Sequence, residues 1–188
     1  MKKYQIIYAD PPWQLKYLKE TKIGINVYDL PYSVMNNDSI KNLPVKELTD
    51  RDALLFLWCV DSKLPILFDI MNAWGFKYIT VGFVWNKVAK TTRGVNATLG
   101  KYTRKSYEFC YIGGKGRYIA TGCSVDQYIG IPKGRHSEKP LDIKNRIVKM
   151  CGDLPRIELF AREKTDGWDV WGNEVKSNIN LEGGEKHE

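Results

Sequence analysis

Asp10-Pro11-Pro12-Trp13 puts a carboxylate, a backbone carbonyl of restricted direction and an indole ring together, directly after the β-prone run Tyr4-Gln5-Ile6-Ile7-Tyr8-Ala9. The two prolines remove ladder donors, so a strand must end here, and they limit where the Pro11 carbonyl can point. Such a set suits the activation of a weak amine. The exocyclic amine of adenine has its lone pair delocalised into the ring. Acceptors at Asp10 and the Pro11 carbonyl would take its protons in hydrogen bonds and draw the lone pair toward an in-line attack. Trp13 would offer a face on which a base stacks, worth about 1–3 kcal/mol. The plainer reading of the same residues is a Pro-Pro strand terminator followed by a core tryptophan.

These residues need a frame, and the chain supplies an α/β pattern. Its 188 residues are the size of one domain, expected to span 1–175 with a polar, frayed tail over 176–188. Residues 14–37 are polar and broken by Gly24, Asn26 and Pro31, which predicts a long functional loop. A helical turn is expected over 44–49, and the apolar run 53–58 reads as a strand buried on both faces. Leu64, Leu67, Phe68, Met71 and Trp74 recur at helical spacing over 62–74, with Ser62 as the cap, Pro65 in the first turn and Gly75 as the stop. Strands are expected over 76–85, 106–112 and 156–161, loops over 86–103 and 113–132, and a helix over 141–151. The alternation predicts a Rossmann-like, doubly wound, mostly parallel sheet with ligands beyond the carboxyl ends of the strands, where Asp10 sits.

Composition narrows the chemistry. Hydrophobic residues at 43% and charged residues at 27% exclude disorder and a membrane-embedded chain, and the absence of an h-region behind Met1-Lys2-Lys3-Tyr4 gives a cytoplasmic expectation. Cys59, Cys110, Cys123 and Cys151 form no C-x-x-C pair and there are only two histidines, so neither a disulfide nor a metal site is expected. Fourteen cations face four acids between residues 86 and 149, interleaved with tyrosines. That stretch suits a polyanion with stackable bases, which makes Lys87, Arg93 and Arg104 candidate substrate contacts; a solvated basic face is the alternative. Gly113-Gly114-Lys115-Gly116 has the glycine content of a phosphate loop but not the spacing of one.

The sequence resembles the MT-A70-type adenine amino-methyltransferases, which use S-adenosylmethionine. The resemblance runs through Asp10-Pro11-Pro12-Trp13, Leu30 to Met35, Leu55 to Trp58, Trp74 to Phe76, Val84 to Lys87, His136 to Pro140, Ile157 to Arg162 and Gly167 to Glu174, in family order. It implies a class I methyltransferase fold with circularly permuted motifs, the catalytic Asp10 preceding the cofactor-binding strand. It also implies that Asp10, Lys139, Glu158, Phe160, Arg162, Asn173 and Glu174 line the cofactor. Lys139 or Arg162 would pair with its carboxylate, and Glu158 and Asn173 would accept from its ribose hydroxyls. Tyr32 and Glu108 are implied on the substrate side, while Trp168 and Trp171 read as packing aromatics and His136 as a loop hydrogen-bonder. DNA is expected as the substrate ahead of RNA. With no separate target-recognition region expected, sequence choice would come from the loops at 14–37 and 86–103 or from a second subunit. A monomer, homodimer or heterodimer is compatible with the pattern, and a catalytically silent subunit is the remaining alternative.

Overall fold

The computed structural model describes residues 2–14, 34–89, 97–99, 102–117, 123–134 and 138–181. Its frame is one seven-stranded sheet. The strands are β1 (Tyr4–Ala9), β2 (Thr49–Cys59), β3 (Lys77–Val88), β6 (Tyr107–Lys115), β7 (Tyr128–Pro132), β8 (Arg156–Leu159) and β9 (Asp169–Trp171), in the spatial order β7-β3-β6-β2-β1-β8-β9. A separate short ladder joins β4 (Thr98–Leu99) to β5 (Arg104–Lys105). Within the seven-stranded sheet, among the described residues, only β6 runs against its neighbours; β1 is parallel to β2 and β8, β8 to β9, and β3 to β7.

Helices cover both faces, as the alternation predicts. On one face α1 (Asn37–Lys41), α2 (Val45–Leu48) and α3 (Leu64–Ala73) bury Ile40, Val45, Leu67, Ile70 and Met71 against Ile7, Leu55 and Leu57. On the other, α4 (Leu141–Cys151) buries Ile143, Ile147 and Cys151, a stripe with a period of four, against Tyr8, Phe56 and Trp58. The alternate residues of β1 and β2 thus belong to opposite cores, which is why both strands read as continuous apolar runs.

Several expectations need correction. Ser62 is not the cap of α3: it sits in a 3₁₀ turn over Asp61–Lys63, and Lys63 precedes the helix without a side-chain cap. Pro65 does lie in the first turn, and Gly75 ends the helix with φ of 86°. The stretch 113–132, expected to be mostly loop, carries strand at both of its ends. β6 continues through Gly113 and Gly114, where neighbouring side chains close in on the backbone: a Cβ on Gly114 would lie 2.6 Å from Ile79 Cδ1. β7 then adds an edge strand that its short, glycine-containing sequence concealed. The strand expected over 156–161 stops at Leu159 because Phe160 turns left-handed, with φ of 63°. The chain also stays packed past residue 175, since Leu181 is buried in the core shared by α3 and β1.

Candidate active site

The topology gathers the candidate residues at one edge. Asp10 follows the carboxyl end of β1, Phe160 that of β8 and Gly172 that of β9, while Lys87 lies near the carboxyl end of β3. Because β6 runs the other way, its beginning, with Glu108, reaches the same edge. Lys139 joins them from the segment just before α4, where Pro140 precedes the first helical turn without needing a backbone donor.

Asp10 is turned out of the ladder by a tight three-residue turn, in which the Trp13 N–H donates to the Pro11 carbonyl at 2.8 Å. The Met35 N–H donates to the Pro12 carbonyl at 2.8 Å, and the Gln14 N–H donates to the Met35 carbonyl at 3.1 Å. Trp13 departs from the expectation of an open stacking face. It is 6% exposed, packs in the α3-side core, and its indole N–H donates to the Trp58 carbonyl at 3.3 Å. Here the plainer reading holds: Trp13 is a core tryptophan that anchors the turn.

A chain of alternating charges spans the edge. The Lys139 ammonium lies 2.5 Å from Asp10 Oδ2 and 3.2 Å from Glu108 Oε2, and Lys87 pairs with the other oxygen of Glu108. Lys139 also sits 5.2 Å from the centre of the Trp58 ring, whose N–H donates to the Tyr8 hydroxyl at 2.8 Å. Burial pushes Asp10 up, and the attraction of Lys139 only partly offsets it, so its pKa stands above the ordinary carboxylate value. Burial also presses on Glu108, but Lys139 and Lys87 together hold it down. For Lys139, burial is outweighed by the two carboxylates and the ammonium is held more firmly than usual.

A second group lies at the ends of β8 and β9. Phe160 meets Trp171 edge to face at 5.4 Å, and Arg162 approaches Glu174 at 3.5 Å. Gly172 lets these two strand ends press together: a Cβ there would stand 2.1 Å from the Ala161 carbonyl oxygen, and the Ala161 N–H donates to the Trp171 carbonyl at 2.9 Å. Glu158, on β8, is paired with Lys144 of α4 at 2.5 Å. Trp168 is buried and meets Tyr8 edge to face at 5.9 Å, so it packs as expected.

Asp10, Lys139, Glu108 and Lys87 are therefore brought into contact, and Arg162 and Glu174 into a second pair. Asn173 is exposed beside that pair. Arg104 is exposed on β5, in a ladder separate from the main sheet. Tyr32, Arg93 and His136 lie outside the described residues. Sequence reasoning gave Trp58 and Lys144 no role at the site. The signal for Lys144 was a lone cation on the inner stripe of α4, three residues from Ile147.

The chain is similar to known proteins along most of its length. The MT-A70 family model matches residues 4–174. The type II methyltransferase M.MunI of Mycoplasma sp is 35% identical over 94% of this chain and 80% of its own length. The N(6)-adenine-specific methyltransferase METTL4 of Mus musculus is 26% identical over 93% of this chain, and the N6-methyladenosine RNA methyltransferase MTA1 of Pyricularia oryzae 25% over 92%. The chain spans 38% and 47% of the length of those two relatives. With the family model matching residues 4–174 of its 188, this chain belongs to the MT-A70 family.

Proposed function

We propose that the chain transfers the methyl group of S-adenosylmethionine to the 6-amino group of adenine in DNA. Asp10 carries the reading: a carboxylate fixed at the carboxyl end of β1 by a proline turn, with a cation against it. The choice of DNA is supported by the similarity to M.MunI, a type II methyltransferase of which the chain covers 80%.

The side chains at this edge fit the proposed cofactor. Asp10 and Glu158 are acceptors for its ammonium and hydroxyl groups, Lys139 and Arg162 are cations for its carboxylate, and Phe160 is an apolar face for its nucleoside. When bound, S-adenosylmethionine supplies an electrophilic methyl group. Asp10 accepts one hydrogen bond from the adenine amine, and the Pro11 carbonyl, whose second lone pair already takes the Trp13 N–H, accepts the other. Lys139 favours the ionised form of Asp10 against the cost of its burial. The proton lost after transfer comes from a cationic amine, so no strong base is required. A duplex substrate would have to release its adenine from the stack at a cost of a few kcal/mol.

RNA is the second reading, favoured by the similarity to MTA1. Incubation with labelled S-adenosylmethionine and duplex DNA, single-stranded DNA or RNA, followed by nucleoside mass spectrometry, separates the two. We expect 6-methylated deoxyadenosine from DNA. Methylated adenosine from RNA alone would overturn the choice of DNA, and no product from any substrate would overturn the enzymatic reading.

A further inference from the structure

The inner stripe of α4 contains one residue that packing does not call for. Ile143, Ile147 and Cys151 fill the core beneath the sheet, yet Lys144 beside them is 8% exposed. Its ammonium lies 2.5 Å from Glu158 Oε2 and 2.6 Å from the Thr165 hydroxyl, and 5.8 Å from the centre of the Tyr8 ring. It thereby ties α4 to β8 and to the loop between β8 and β9. Stability alone accounts poorly for such a pair, because apolar residues of similar volume are generally at least as stabilising as a buried ion pair.

One of the contacts of Lys144 is to the carboxylate two residues before Phe160. Lys144 engages Oε2 of Glu158, and among the described residues Oε1 has no hydrogen-bond partner. We propose that Lys144 is a positioning residue for the cofactor pocket, clamping Glu158 by Oε2 so that Oε1 accepts a ribose hydroxyl of the nucleoside. This rests on the reading that the pocket takes S-adenosylmethionine.

The electrostatics agree with the geometry. The groups facing Glu158 are Lys144 from α4, Asp10 and Tyr8 from β1 and its end, and Glu163 from the β8–β9 loop. Burial raises the Glu158 pKa, Asp10 and Glu163 add to that, and Lys144 is the cation that opposes them. Without Lys144, Glu158 holds its proton to higher pH and becomes a poorer acceptor for a hydroxyl.

The test is calorimetric binding of S-adenosylhomocysteine to the full chain between pH 6 and 9, with thermal unfolding of the free protein beside it. Lys144→Met is expected to weaken binding about tenfold at neutral pH, the effect of losing one charge-assisted hydrogen bond, with recovery as the pH rises. Lys144→Arg should restore most of the affinity. In a Glu158→Gln background, Lys144→Met should change binding no further, because its effect passes through that carboxylate. A folded Lys144→Met that binds like the wild type at every pH, or one that loses affinity equally in both backgrounds, overturns the proposal. Should Lys144→Met fail to fold, Glu158→Gln alone decides, since unchanged affinity in it removes the carboxylate from the pocket. A wild-type chain that binds no S-adenosylhomocysteine overturns the cofactor reading itself, and is told apart by the wild-type titration.

Discussion

Lys139 stands between two carboxylates, and its charge decides how each of them titrates. Without the ammonium, Asp10 and Glu108 would face each other across a partly buried site, and the like-charge repulsion would add to the burial that already raises Asp10. Lys139→Met should therefore move the acid limb of the pH profile of kcat/KM to higher pH, because Asp10 must be ionised to accept from the amine. It should also lower stability by about 3 kcal/mol, the usual cost of stranding a buried partner. A pH profile superimposable on the wild type would remove Lys139 from the electrostatic account. Phe160 is the other residue under tension at this edge. A bulky side chain at φ of 63° costs about 1–3 kcal/mol, and such strain persists only where the surroundings hold it, here with Trp171 edge to face against the ring.

At the scale of elements, the site depends on two strand ends being pressed together behind Gly172. Gly172→Ala would force the backbone of residue 161 away, since the added carbon would lie 2.1 Å from its carbonyl oxygen. Overpacking of this kind costs about 1–3 kcal/mol, which in a chain of this size lowers Tm by about 2–4 °C per kcal/mol. Scanning calorimetry together with cofactor titration checks both consequences, and an unshifted Tm would contradict the close approach. Much of this layer was legible in advance. The apolar run of β2 and the proline stop after β1 were plain because burial on both faces and a missing donor leave strong marks. The helix α4 matched its expected bounds because a period-four stripe persists through it. What was missed lacked local signal. β7 is an edge strand with a glycine at its centre, β9 is a three-residue strand, and the Gly113-Gly114 pair reads as a breaker until Ile79 is seen lying against it. For the site, the Asp10 motif announced itself. Lys144 did not, because in one dimension a buried lysine looks like any other member of a basic stretch.

Across the whole molecule, the basic stretch is less uniform than its composition implies. Lys87, Lys105, Lys139, Lys144 and Arg146 each pair with an acid of the fold, so part of the positive charge is committed to holding elements together. Lys115 and Arg117 lie at the far edge of the sheet from Asp10, at the end of the strand whose beginning supplies Glu108. Sequence-wide charge therefore says little about which face meets a polyanion, whereas the topology of one antiparallel strand among parallel ones brings Glu108 to the edge that carries Asp10. No helix among the described residues is long and apolar enough to cross a membrane. The most direct measurement compares wild type and Asp10→Ala for transfer of labelled methyl to duplex DNA, at cofactor concentrations that saturate both. The account predicts 6-methyladenine from the wild type and a rate at least about 100-fold lower from Asp10→Ala, the scale of losing a preorganised hydrogen-bonding group at the reacting atom. Equal rates from the two proteins would contradict it.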